Sequence, residues 1–479
     1  MKHIDATMAG NKISMYIADG SDHDPQTMAM LQAFYSRSTK SIADRVEGMT
    51  AEQVQQSLLK YYLGYGHRSI GQCGNFVMFI EDVSIFAAKA IQHHPLYNGQ
   101  ETSTRYYDFC ERPFINPLGV EGIESALRDL YRRVLGLAET AYLEEAKAEN
   151  HCIDANMKRT ISAKAFDLAR GILTAGFTTK LSWSSTFDQA HDRISALVNS
   201  GVEELHVIGD SLASALHEKY PSAFPELISM LSDYAEKMPL FDDTARLRKA
   251  IISRSADPCA YGKDTVHAVC ALRKLGDDPD AVNLLKSRKR GEPVPRSFAQ
   301  YGTFDFAFRI DYASFRDIHR HRNCTMYFPH YDPSSLVVHD WYLREMDRLN
   351  ILAELTDAAL TVKGHLDYIY DDLVPQAEKI AASRYGAGTD AYHAALMYYI
   401  PMGTCVTGVL SCDLPQAMYL SELRSSRTVH PTARSVARDI AAAVQAHLPP
   451  EVPLYVDTFD KTFASARGKQ TIHEKGNLE

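Results

Sequence analysis

The chain repeats itself, and that repetition constrains its fold more than any other feature. FYSRSTKS at 34–41 returns as IISRSADP at 251–258, moving the shared arginine 217 residues on, from Arg37 to Arg254. ARGILTAGFTT at 169–179 lines up with LMYYIPMGTCVT at 396–407, an offset of about 227. ALHEKYP at 215–221 matches VQAHLPP at 444–450, each a helical run closed by proline. Three landmarks in one order, at nearly constant spacing, define two copies of one module of about 230 residues that meet near 235–245. The first module is placed at 1–238 and the second at 239–479.

The length of 479 residues suits such a pair, since each half is long enough to bury a core of its own. Hydrophobic residues at 45% and charged residues at 23% exclude a disordered or fibrous chain. With 51 Lys+Arg against 60 Asp+Glu the net charge is −9, which argues against a general nucleic-acid binder. Local basic clusters remain free to hold small phosphorylated ligands. No apolar run reaches the ~18 residues of a membrane span, and no secretory signal is visible at the start. Eight scattered cysteines without a C-x-x-C pair read as reduced, packed thiols of a cytoplasmic protein.

Helical punctuation dominates the local pattern. Thr50-Ala-Glu-Gln53 is a capping box, followed by Val54, Leu58 and Tyr62 at i, i+4, i+8 before Gly64. Val436, Ile440, Val444 and Leu448 repeat that spacing until Pro449 and Pro450 stop the helix. The stretches 183–220 and 335–380 also read as helices, and β-like runs sit at 74–80 (GNFVMFI) and 303–310 (TFDFAFRI). The expected fold class is α+β with helix in excess, each module a small antiparallel sheet packed with long helices.

Two short segments hold equivalent places in the copies. The first runs from Ala90 through His93-His94-Pro95 to Glu101-Thr-Ser103-Thr-Arg105-Tyr106, and the second from Asp317 through Arg320-His321-Arg322 to Phe328, His330 and Asp332. R-H-R, a spacer, then E-x-S-x-R-Y resembles the signature of the flavin-dependent thymidylate synthases, the ThyX family. Gly66-His67-Arg68-Ser69 with the following GNFVMFIEDVSIF, IDYASFRDIHRHR at 310–322, and Ser421-Glu-Leu-Arg424 are similar to further elements of that family. The signature is split between the copies. The first keeps Glu101, Ser103 and Arg105 but has His93-His94-Pro95 where R-H-R belongs; the second keeps R-H-R but has Asp332 where the last arginine belongs. Arg170 faces Met397 across the copies, and Arg424 faces Leu197. Each copy lacks what the other retains, so a fused pair needs one complete set per composite site.

The resemblance implies binding of FAD, a dUMP-like nucleotide and methylenetetrahydrofolate, with NADPH as reductant, and transfer of a methyl group to C5 of dUMP to give dTMP. The alternatives are the same fold acting on dCMP or hydroxymethylating its substrate, and a non-catalytic flavin- or nucleotide-binding homologue. It also implies a homodimer that makes a four-module assembly. By the family pattern Arg320, His321, Arg322 and Glu101 bind the cofactor, and Ser103, Arg105, Arg170 and Arg424 the substrate; no protein nucleophile is required. The side chains suit those roles, because a guanidinium is a permanently charged planar fork for phosphate, and Ser-Thr-Arg adds a hydroxyl and backbone N–H groups. Outside that context the basic triplet would be a solvated face and Glu101–Arg105 a loop turn with a local ion pair. His93-His94, or His319 with His321, suggest metal ligands, but no carboxylate or further histidine completes a set at helical spacing. Arg105 and Arg322 are expected to line a cleft and not a core.

Overall fold

A computed structural model describes residues 2–8, 11–18, 20–36, 38, 42, 49–105, 107–224, 240–255, 265–271, 273–458 and 463. Arg37 and the module boundary between 238 and 239 lie outside the described residues. The chain divides into two compact units, one of Met1–Glu81, Ala90–Glu101 and Lys180–Pro239, the other of Asp82–Lys89, Thr102–Thr179 and Leu240–Glu479. Compactness therefore groups residues differently from the sequence repeat.

In the first unit, β1 (Lys2–Met8) and β2 (Asn11–Ile17) form an antiparallel hairpin in the register Lys2↔Ile17 to Met8↔Asn11. The capping box at Thr50 forms as read, each partner bonding the other's backbone, and starts the helix Ala51–Ser57. The chain then widens into a π-helix over Leu58–Gly64, with Val54, Leu58 and Tyr62 buried. Strands β3 (Asn75–Ser84) and β4 (Thr178–Thr186) pair as a two-stranded sheet. Residues 183–186 thus end a strand and not the helix expected from 183. The alternation of TTKLSWSST buries Leu181, Trp183 and Ser185 on one face, a period of two that a helix could not bury. Thr186 then caps the helix Phe187–Val198, and Glu203–Lys219 follows. Phe187 packs against Phe76, Tyr220 and Phe224. Gly74 must lack a side chain, because a Cβ there would meet the Phe187 ring at 2.2 Å.

The second unit is built on one antiparallel sheet, β5 (Thr265–Cys270), β6 (Thr303–Asp311), β7 (Thr325–Tyr327) and β8 (Cys405–Asp413), in the order β5-β6-β8-β7. β6 and β8 run in register from Thr303↔Asp413 to Asp311↔Cys405. Asp311 ends β6 and caps the helix Tyr312–Ile318, accepting from Ser314 N at 2.9 Å. Asp413 does the same for Leu414–Arg424, with Pro415 in the first turn. The helix Pro431–Gln445 buries Val436, Ile440 and Val444 as their spacing requires. The expected 335–380 helix is interrupted: Asp340–Arg348 stops at Asn350, whose left-handed φ of 58° terminates it, and helix resumes at Val362.

The element order recurs between the copies. Helices after the first central strand start at 85 and 312, and helices after the second start at 187 and 414, 227 residues apart each time. A strand-to-helix corner therefore sets the same kind of position twice, and different side chains occupy it.

Candidate functional site

In the second unit the helix Tyr312–Ile318 ends just before Arg320-His321-Arg322, and the helix Leu414–Arg424 ends with Arg424. These two helix ends meet at a cleft of about 380 Å³ lined by Arg320, His321, Arg322, Gln416, Tyr419 and Arg424. Four of the residues singled out in the sequence therefore share one surface.

His321 is buried, and its two ring nitrogens are both engaged. Arg424 Nε donates to His321 Nε2 at 2.8 Å, and the Gln416 amide lies 3.0 Å from Nδ1. A guanidinium can only donate, so Nε2 accepts and Nδ1 carries the proton; the Gln416 amide, placed with its Nε2 at that nitrogen, must turn its oxygen there to accept. Burial, and then the charge of Arg424, lower the imidazole pKa to about 3, so His321 is neutral. The ring is a fixed, uncharged platform between two arginines, with Tyr419 edge-on at 5.8 Å.

Asp317 organises the positive charge. Burial raises its pKa, but Arg170, Arg105, Arg320 and Arg424 outweigh that and hold the carboxyl well below the usual carboxylate range. Arg170, 1% exposed, reaches Asp317 Oδ2 at 3.4 Å and Ser314 Oγ at 2.7 Å. Its guanidinium is taken up by Asp317 and Ser314 and does not line the cleft. Arg105 is anchored by Asp167, Nε to Oδ1 at 2.7 Å, and donates through Nη2 to the Thr428 carbonyl at 3.0 Å. Its side chain is 12% exposed and that of Asp167 3%, so Arg105 is more deeply set than a cleft-lining position implies. Ser103 Oγ accepts from the Arg105 backbone N–H at 3.3 Å, closing the turn. Buried His430 ties the two arginine anchors together, with Nδ1 near Ser314 Oγ and Nε2 near the Asp167 carbonyl.

Glu101 lies in the first unit, where Gln92 Nε2 donates to its carboxylate at 3.0 Å and its backbone bridges Leu181. The sequence reading missed Asp317, Asp167, Gln416 and His430. Asp317 carried a usable signal, because it precedes Arg320 by one helical turn and Ala90 holds its place in the other copy. Among the described residues no cluster of three His, Cys, Asp or Glu could hold a metal ion, and no helix is long and apolar enough to cross a membrane.

The buried histidines make stability pH-dependent. His93 and His321 sit at about 3 and His393 at about 4, each lowered first by burial from 6.5. Below pH 6.5 the unfolded chain binds protons that the folded chain refuses, so stability is complete above that pH and falls as pH drops. The denaturation midpoint is expected to fall on acidification from about pH 7 to 5. His321→Gln should flatten that slope by about one proton, and an unchanged slope would show that His321 is not buried neutral.

The fold is α+β, and its second unit carries an arginine-lined cleft. The family model described as "Thymidylate synthase complementing protein" matches residues 18–221, which hold Glu101, Ser103, Arg105 and Arg170. Over that span the chain is similar to thymidylate synthase complementing proteins, in keeping with the resemblance its motifs carry. It is also similar to a UPF0159 protein of Chlamydia pneumoniae, 22% identical over 433 residues, covering 79% of this chain and 76% of the relative. That alignment is longer than either copy, so the likeness does not stop at the first.

Proposed function

We propose that the chain is an FAD-dependent thymidylate synthase-like enzyme that methylates dUMP at C5, with methylenetetrahydrofolate as one-carbon donor and NADPH as reductant. The observation that carries this reading is the convergence of Arg105, Arg170, Arg320 and Arg424 on Asp317 beside the cleft. A cluster in which arginines outnumber their central carboxylate suits ligands bearing phosphate. The donors fit the FAD expected for the family: Arg320 is exposed, Arg322 half-buried, and neutral His321 adds no competing charge. When bound, the flavin supplies the reducing hydride.

The chain's own residues place and hold the reactants. Arg320 and Arg322 take the cofactor's pyrophosphate, and His321 presents its ring beside it. Arg105, with Ser103, takes the nucleotide phosphate, Arg424 the pyrimidine side, and Arg170 fixes Asp317 so that these guanidiniums keep their spacing. Glu101 is assigned to the cofactor by the family pattern alone. A homodimer of the two-module chain forms the working assembly, since closed symmetric association is the common route to composite sites. The test is incubation of the purified chain with dUMP, methylenetetrahydrofolate, NADPH and FAD, with product identified by mass. dTMP is expected; turnover of dCMP alone, or a hydroxymethyl product, would overturn the stated substrate or outcome.

No cysteine takes part. Cys324 follows Arg322 by two residues, but burial and then Asp413 push its thiol up to about 11, and its Sγ lies 3.2 Å from the His321 carbonyl. Cys324→Ser is expected to retain turnover in a steady-state assay. Loss of turnover with FAD still bound would point to a thiol adduct at the pyrimidine ring.

A further inference from the structure

The first unit contains a buried cation that the proposed function does not use. Arg193, on the helix Phe187–Val198, is 8% exposed, and its Nε and Nη2 have no hydrogen-bond partner. Among the described residues, the other buried arginines each donate to a protein oxygen: Arg170 to Ser314, Arg288 to Glu422, Arg316 to Thr104 and Arg434 to Ser425. The acids beside Arg193 on its helix are engaged elsewhere, because Arg68 holds Asp188 at 2.7 Å and Asp192 at 2.5 Å. Burial lowers the Arg193 pKa to about 10, which leaves it charged at neutral pH. An unpartnered buried guanidinium is destabilising unless something compensates it, so its retention calls for a partner.

Position indicates what that partner is. Arg193 lies one helical turn before Leu197, the place that Arg424 fills in the second copy. His93 and His94 stand where Arg320 and His321 stand in that copy, and both feel the Arg193 charge. His94 Nδ1 accepts from Leu96 N at 3.2 Å, so the neutral ring carries its proton on Nε2. A guanidinium fork near the Nε2–H of His94 suits a tetrahedral oxyanion.

We propose that Arg193, with His93 and His94, forms a second anion site, in the first unit, that takes a phosphoryl group. The copy that lost R-H-R has rebuilt a cation one turn earlier on the equivalent helix. This proposal does not depend on the reaction proposed above, and its test reads a different helix.

Amide hydrogen exchange on the full chain, with inorganic phosphate, pyrophosphate or dUMP as probe, tests it. Phosphate is expected to slow exchange over 187–198 at least tenfold, separately from any change over 414–424. Protection by free phosphate assigns the site to inorganic anions, and protection by dUMP alone assigns it to a nucleotide; either supports the proposal. No protection of 187–198 by any probe in the wild-type chain overturns it, whatever happens at 414–424. Arg193→Met, of similar length, gives an independent readout. In phosphate-free buffer it should melt at or above wild type, because it removes an uncompensated buried charge, and it should lose the protection. A variant that melts well below wild type would mean that Arg193 is a packing residue.

Discussion

Asp317→Asn is expected to be the most damaging single change in the second unit. The carboxylate is 14% exposed and faces Arg170, Arg105, Arg320 and Arg424. Removing its charge leaves Arg170, 1% exposed, with the hydroxyls of Ser314 and Tyr342 as partners and no counter-charge at Asp317. Breaking a buried pair by removing one partner typically costs about 3–5 kcal/mol. The loss should appear as a lower denaturant midpoint together with weaker ligand binding at the cleft, because Arg170 loses its ion-pair partner and Arg105, Arg320 and Arg424 lose the charge that offsets theirs. Asp317→Asn combined with Arg170→Met should recover part of the stability, since the double change removes both charges. Additive losses would mean that the two side chains are not coupled.

Arg322→Ala and Arg105→Lys are expected to separate the two ligands. If Arg322 holds the cofactor's phosphate, its removal forfeits a charge-assisted contact of about 1.5–3 kcal/mol. That converts to a roughly ten- to hundredfold weaker hold on FAD. Lysine at 105 keeps a positive charge beside Asp167, whose side chain is 3% exposed, whereas alanine would strand that carboxylate. It loses the fork that reaches Asp167 and Thr428 together. Nucleotide affinity should then drop about tenfold or more while the bound flavin remains. Calorimetry with FAD and with dUMP on both variants checks this, and loss of flavin from the Arg105 variant alone would reverse the assignment.

Much of this was legible in the sequence wherever one local rule acted alone. The Thr50 capping box, the Val436–Val444 stripe and the two aromatic strands each follow from a period or a cap, and each is present. The misread segments are those where two patterns overlap. TTKLSWSST runs directly into a capped helix, and the helical stretch after 335 is cut by a turn at Asn350. The arginines were visible because the motif names them, but their anchors were not. Asp167 and Gln416 lie on different helices and His430 caps a third, each distant in sequence from the side chain it meets, so only tertiary packing brings them to Arg105, His321 and Ser314. The depth of Arg170 and Arg105 was hidden for the same reason, since a guanidinium that holds a carboxylate and one that meets a ligand look identical in sequence.

If the two copies share one complete ligand set, the cofactor side lies in the second and the nucleotide side in the first. The most direct measurement is calorimetric titration of FAD into the apo-protein. One FAD per 479-residue chain is expected, because His93-His94-Pro95 replaces Arg320-His321-Arg322 in the first copy and Asp332 replaces Arg105 in the second. Two equivalent flavins per chain would contradict it.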